Sequence, residues 1–193
     1  MDGVLVDFAK GAIKLVNDAL ENPTGIEHWE ELKACRQKLN EKGRDYIVND
    51  DLEKAEYRGL DEDKVIPEAR ALMKKLITAA GKEWWANLPW MPGGKELWNY
   101  LVENCDPHIL SAPLGDCNEC KLGKLEWVIK NLGITKEESA DKVILTDKKY
   151  KHAEGNVLID DFAYNTVPWS ENGGLAIEHT CADKTILALK ETI

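Results

Sequence analysis

The sequence predicts an α/β fold: a parallel sheet flanked by helices, with a small all-helical segment inserted near the start. Three observations predict it. From residue 94 onward, short apolar runs alternate with helical stretches: DPHILSAP (106–113), DKVILTDKK (141–149), GNVLIDDF (155–162) and GLAIEHT (174–180). That alternation pairs strands in parallel and lays helices on the sheet faces. Residues from about 22 to 88 show no strand pattern and read as helices rich in Glu, Lys and Asp. Finally, the apolar runs end on small polar or charged residues, as strands do where a parallel sheet meets its ligand.

Each element follows from its residues. MDGVLVDF (1–8) reads as the last step of a strand and a tight turn. KGAIKLVNDAL then places Ile13, Val16 and Leu20 at helical spacing. PEARALMKKLITAA starts a helix at Pro67, whose missing N–H is no loss in a first turn. At LPWMPGG (88–94) prolines and glycines break the chain, and KELWNYLVEN resumes as a helix. CKLGKLEWVIKNLG (120–133) is an amphipathic helix stopped at Gly133, and ADKTILALKETI closes the chain as another. The expected division is an α/β core over 1–10 and 89–193 and a helical cap over 11–88. The 193 residues suffice for one such domain with its insertion.

Composition narrows the function. The chain is 44% hydrophobic and 31% charged, as ordinary globular proteins are. It has no apolar run near the ~20 residues of a membrane span and no basic segment leading into an apolar signal core. A cytoplasmic protein without membrane association is expected. The net charge of -10, with no dense Lys/Arg stripe, argues against a nucleic-acid polymer as partner. It still permits a small phosphate held by a few focused cations. Cysteines 35, 105, 117, 120 and 181 form an odd set, so a disulfide framework is not expected. Cys117 and Cys120 make one C-x-x-C without a second Cys or His pair at zinc spacing, and a reduced loop pair is expected over a zinc or redox role. His28, His108, His152 and His179 are scattered and form no ligand pattern.

The strand ends carry Asp2, Ser111, Thr146, Lys149, Asp160 and Asp161. On these residues the chain resembles the haloacid-dehalogenase phosphatases, and among them the 5'(3')-deoxyribonucleotidases. That superfamily opens on D-x-D-G-[VT], and M-D-G-V places Met1 on the x, Asp2 on the second aspartate and Gly3-Val4 on the turn. ILSAP places Ser111, followed by Ala112, on the phosphate-binding motif. LIDDF places Asp160 and Asp161 on the acidic pair. Two lysines compete for the remaining motif: Lys124 in GKLEWV and Lys149 in ILTDKK. The likeness runs from residue 1 through the final strand, and the insertion fits the family's helical cap.

The resemblance implies a Rossmann-like core and a Mg2+-dependent phosphomonoester hydrolase acting through an aspartyl-phosphate. The substrate would be a small phosphorylated molecule, most plausibly a 5'-(deoxy)nucleotide, and a homodimer is compatible. Asp2 would be the general acid, with its carbonyl on the metal. Ser111, Ala112 and a lysine would bind and neutralise the phosphoryl group. Asp161 would ligate Mg2+ directly, and Asp160 directly or through water. Phe8, Trp84 and Trp85 would face a nucleobase. The family's nucleophile stands two residues before Asp2, ahead of Met1, and its first strand is missing too. Truncation is the expectation over loss of catalysis, and with it an unstable, inactive chain. The alternatives are a catalytically dead nucleotide-binding relative, or a phosphoryl-transfer enzyme with another substrate, such as a polynucleotide 3'-phosphatase or a mutase.

Ordinary roles stand beside these. Asp-Gly commonly makes turns, Ser111 could end a strand, and Asp160-Asp161 could cap a helix. Lys149 lies in a solvated-looking DKKYK run, and Lys124 could be a surface lysine. Trp84, Trp85 and Trp90 could be packing at a junction. Trp29 and Tyr46 could line a cap pocket, without support from spacing.

Overall fold

The computed structural model describes every residue except 24–26, 53–59, 62, 64, 116 and 193. The chain is mixed α/β, and the short strands among the described residues pair in parallel. It divides into two compact units, Ala9–Gly81 and Met1–Phe8 with Lys82–Ile193. The second junction thus falls earlier than the expected 88/89. The reason is local: the helix Gly81–Ala86 buries Trp85 and Ala86, and Gly123 packs against it so closely that a Cβ would sit 2.3 Å from that of Trp85.

The helical unit holds most of α1 (Phe8–Glu21), then α2 (Trp29–Glu41) and α3 (Pro67–Ala79). Each buries one stripe: Ala12, Val16 and Leu20 on α1, Leu32, Cys35 and Leu39 on α2, and Ala69, Leu72, Met73 and Ile77 on α3. Asp51, fully buried in this unit, is held by Arg44 and by the main-chain N–H of Val48 at 2.8 Å.

The α/β unit runs α4 (Gly81–Ala86), α5 (Gly94–Asn104), β1 (Ile109–Ser111), α6 (Asn118–Leu132), α7 (Ser139–Lys142), β2 (Val143–Leu145), β3 (Val157–Asp160), α8 (Ala163–Glu171), β4 (Leu175–Glu178) and α9 (Ala182–Thr192). β1 pairs with β2, Ser111 opposite Leu145, and β3 with β4, Asp160 opposite Glu178. The strands therefore form two separate two-stranded sheets where the sequence suggested one. The first residues explain part of this. The Met1 carbonyl accepts from Val4, Leu5 and Val6 N–H at 3.3, 2.9 and 3.1 Å, so the segment curls into a turn. It makes only single bridges, Asp2 to Val6 and Val6 to Trp90. Leu110, Ile144, Ile159 and Ala176 are correspondingly half-buried, whereas the strands of a covered parallel sheet are buried on both faces.

The packing that positions the strand ends is aromatic. Trp127 is fully buried and donates to the Leu88 carbonyl at 2.8 Å, and Trp98 donates to that of Leu132 at 3.2 Å. Trp169 and Leu158 pack with Ala153, Leu110 and Ala176. Gly133 ends α6 in the left-handed conformation. Among the described residues no helix is long and apolar enough to cross a membrane.

Candidate active site

β1 ends at Ser111, which is buried, and the chain returns through α6 to set Lys124 beside it. A lysine at 2% exposure needs an acceptor for each of its three protons. Lys124 Nζ finds them in the Ala112 carbonyl at 2.9 Å, Ser111 Oγ at 3.1 Å and the carboxylate of Asp2. The same ammonium lies 5.4 Å from the ring centre of Trp85, a cation–π distance. Trp85 stacks on Phe8 with centroids 5.6 Å apart, and Trp84 meets both rings edge-on. This links the aromatic candidates to the phosphate-site candidates through one side chain.

A second ion pair lies at the end of β3. Lys149, in a 3-10 turn, donates to Asp160 Oδ2 at 2.6 Å, and both side chains are buried. Asp160 Oδ1 accepts from Asn165 Nδ2 at 2.8 Å and from the Phe162 N–H at 3.1 Å. Both of its oxygens are thus engaged. Asp161 is placed differently. Gly3 has φ +72, and a Cβ there would meet the Asp161 carboxyl carbon at 2.4 Å and its oxygens at 2.5 Å. The Asp161 carboxylate therefore rests on the Asp2–Gly3 turn, in space only glycine leaves open. The turn is thereby tied to β1 through Lys124 and to β3 through Asp161.

Two buried polar atoms of this unit have no hydrogen bond among the described residues: Asp2 Oδ1 and the indole nitrogen of Trp85. Both belong to residues in contact with the Lys124 ammonium. Burial pushes the Asp2 carboxyl up, but Lys124, the terminal amine and Lys149 outweigh it and leave Asp2 below the usual carboxylate value. His179, just past β4, donates its main-chain N–H to the Asp160 carbonyl at 2.8 Å, and its ring Nδ1 lies 2.8 Å from Thr185 Oγ1. Burial holds the His179 imidazole below its usual pKa, against the opposing pull of Asp161.

The structure thus gathers Asp2, Ser111, Ala112, Lys124, Phe8, Trp84 and Trp85 around one ammonium, with Lys149 and Asp160 as a separate pair and Asp161 on the turn. Trp90 packs on Trp127 instead, and Trp29 lies in the helical unit. Sequence reasoning missed Asn165 and His179. Asn165 carried a usable signal, lying five residues after Asp160 in the first turn of a helix; His179 carried none beyond its place at a strand end. Among the described residues no group of three or more His, Cys, Asp or Glu side chains converges as a metal site. The Asp161 carboxylate, resting against Gly3 of the opening turn, nevertheless offers hard oxygens there. That donor set suits Mg2+, which keeps several waters and takes one or two carboxylates plus substrate phosphate. The chain matches no protein-family model and no curated protein.

Proposed function

We propose that the chain carries the site of a Mg2+-dependent phosphomonoester hydrolase of the haloacid-dehalogenase type, acting on a 5'- or 3'-(deoxy)nucleotide. The observation that carries this reading is the convergence of Asp2, Ser111 Oγ and the Ala112 carbonyl on the buried ammonium of Lys124. A hydroxyl and a cation at one strand end are what a phosphoryl group needs, and a carboxylate beside them is what its leaving group needs. On this reading the two parallel pairs belong to one Rossmann-like core. Leu110 of β1, packed against the cluster of Ala153, Leu158 and Trp169, supports that.

Ser111 Oγ donates to one phosphoryl oxygen and Lys124 neutralises another. A phosphate dianion arriving beside Asp2 draws on Lys124 and raises the affinity of Asp2 for a proton. Asp2 can then protonate the departing alkoxide and later take a proton from the water that hydrolyses the intermediate. Lys149, fixed by Asp160, adds positive charge at the same rim, and Asp160 acts through it as a positioning residue. Asp161 and the Asp2 carbonyl would hold Mg2+, whose charge offsets the repulsion between carboxylate and phosphate. Trp84, Trp85 and Phe8 supply apolar area for a base. The resemblance assigns the attacking carboxylate of this chemistry to the position two residues before Asp2, which the extended form tested below supplies. The net charge of -10 favours a small substrate over a nucleic-acid polymer.

The test is phosphate release from a panel of 5'- and 3'-nucleotides with Mg2+. It compares this chain with a version extended by an apolar strand that ends Asp-Met-Asp-Gly. Turnover by the extended form alone supports the hydrolase and names its substrate. Nucleotide binding by both forms with turnover by neither makes the chain a binding module and overturns the catalytic reading.

A further inference from the structure

We propose that Cys117 and Cys120 form a redox-active dithiol that cycles between two thiols and an intramolecular disulfide by exchange with small-molecule disulfides. The C-x-x-C spacing alone did not separate this from a reduced loop pair; its setting does. Cys117 is the N-cap of the fifteen-residue helix α6, and Cys120 lies in that helix's first turn. Helix geometry sets Cα atoms three residues apart across a turn about 5 Å from each other, inside the Cα span of a disulfide.

Both cysteines also close on one residue. The Cys117 N–H donates to the Leu114 carbonyl at 3.1 Å, and the Leu114 N–H donates to Cys120 Sγ at 3.3 Å. Both cysteines are therefore held to Leu114 at the start of α6.

The two thiols differ as an exchanging pair requires. Cys117 is partly exposed and Cys120 is buried. A small disulfide can reach the first and not the second. Burial pushes the Cys120 thiol up, which further disfavours its reacting first. The Cys117 thiolate attacks one sulfur of the incoming disulfide, forming a mixed disulfide and releasing one thiolate. Cys120 then loses its proton and attacks the Cys117 sulfur. The Cys117–Cys120 bond forms and the second small thiolate leaves. The pair loses two electrons and two protons, and the small disulfide is reduced to two thiols.

The experiment equilibrates the full chain in glutathione buffers from fully reduced to fully oxidised. Acid quenching and alkylation follow, and the state of each cysteine is then read by peptide mass spectrometry. The expected result is joint loss of both alkyl tags from the 117–120 peptide, with the two-hydrogen mass decrease of a disulfide. Cys120→Ser should accumulate glutathione on Cys117, and Cys117→Ser should leave Cys120 free and alkylatable. Retention of both tags in a buffer that modifies the exposed Cys181 would overturn the proposal. So would independent glutathione adducts on the two positions of the unaltered chain. The unaltered chain decides the question even if a variant folds poorly.

Discussion

Gly3→Ala probes whether the opening turn and Asp161 act as one piece. At φ +72 the backbone of Gly3 lies where any side chain costs ~1–2 kcal/mol. Its N–H is held by the Val6 carbonyl at 2.9 Å, so the backbone cannot simply rotate away. The new Cβ would stand 2.4 Å from the Asp161 carboxyl carbon, far inside contact distance, and the carboxylate would have to swing off the turn. Gly133→Ala supplies the control: φ there is +69 and no heavy atom lies within 4 Å of the added Cβ. Urea unfolding followed by tryptophan fluorescence should show both variants destabilised by ~1–2 kcal/mol, about 2–8 °C in Tm for a chain of this size. Only Gly3→Ala should also lower Mg2+-dependent phosphate release by the extended form, by roughly 10–100-fold for a displaced carboxylate support. If Gly3→Ala matches Gly133→Ala in both assays, Asp161 is not seated on the turn and its role as a metal ligand loses its structural basis.

Lys124→Met should cost toward the lower end of the ~3–5 kcal/mol lost when a buried pair is broken, because Asp2 is 32% exposed and partly solvated; urea denaturation measures it. Asp2→Asn in the Lys124→Met background should recover part of that loss, and no recovery would show that the two charges are not coupled. Because the folded pKa of Asp2 lies below its unfolded value of about 4, its charge stabilises the fold above that value and the contribution disappears as pH falls through the folded pKa. The stability gap between the parent chain and Asp2→Asn should therefore narrow as pH falls below about 4, and a gap that widens on acidification contradicts the sign. Gly123→Ala would place a Cβ 2.5 Å from the Lys82 carbonyl, a main-chain atom that cannot rotate aside; equilibrium unfolding should show a loss of ~1–3 kcal/mol.

What was legible in the sequence followed from the demands of parallel strands. Ser111 and Asp160 could be read as strand ends because the apolar runs before them are too short for helices and stop on polar residues. The stop at Gly133 was legible for a backbone reason, since only glycine takes that φ without cost. The division into two sheets was not. Strand pairing depends on what lies beside each run, and the turn that Met1 makes with Val4, Leu5 and Val6 has no local signature. The partners of Lys124 were equally hidden. An amphipathic helix shows which face is buried but not which buried lysine meets a carboxylate, so Lys124 and Lys149 looked alike until their acceptors were known. His179 escaped because a lone histidine at a strand end says nothing about the Asp160 carbonyl beside it.

Those acceptors give the two lysines unequal parts on the proposed reading. The Asp160 carboxylate has both oxygens committed, to Lys149, Asn165 and Phe162, and an incoming anion could take Lys149 only by leaving a buried carboxylate without its cation. Lys124 is bound less exclusively. Its carboxylate partner is partly exposed and its other two acceptors are neutral oxygens, a hydroxyl and a carbonyl. A phosphoryl oxygen can replace either neutral oxygen at little cost, and Asp2, as it comes to share its cation, becomes a better proton acceptor. The lysine that can exchange partners is the one placed to follow the charge of the reaction. The lysine that cannot is the one that keeps the strand end in shape while it does so.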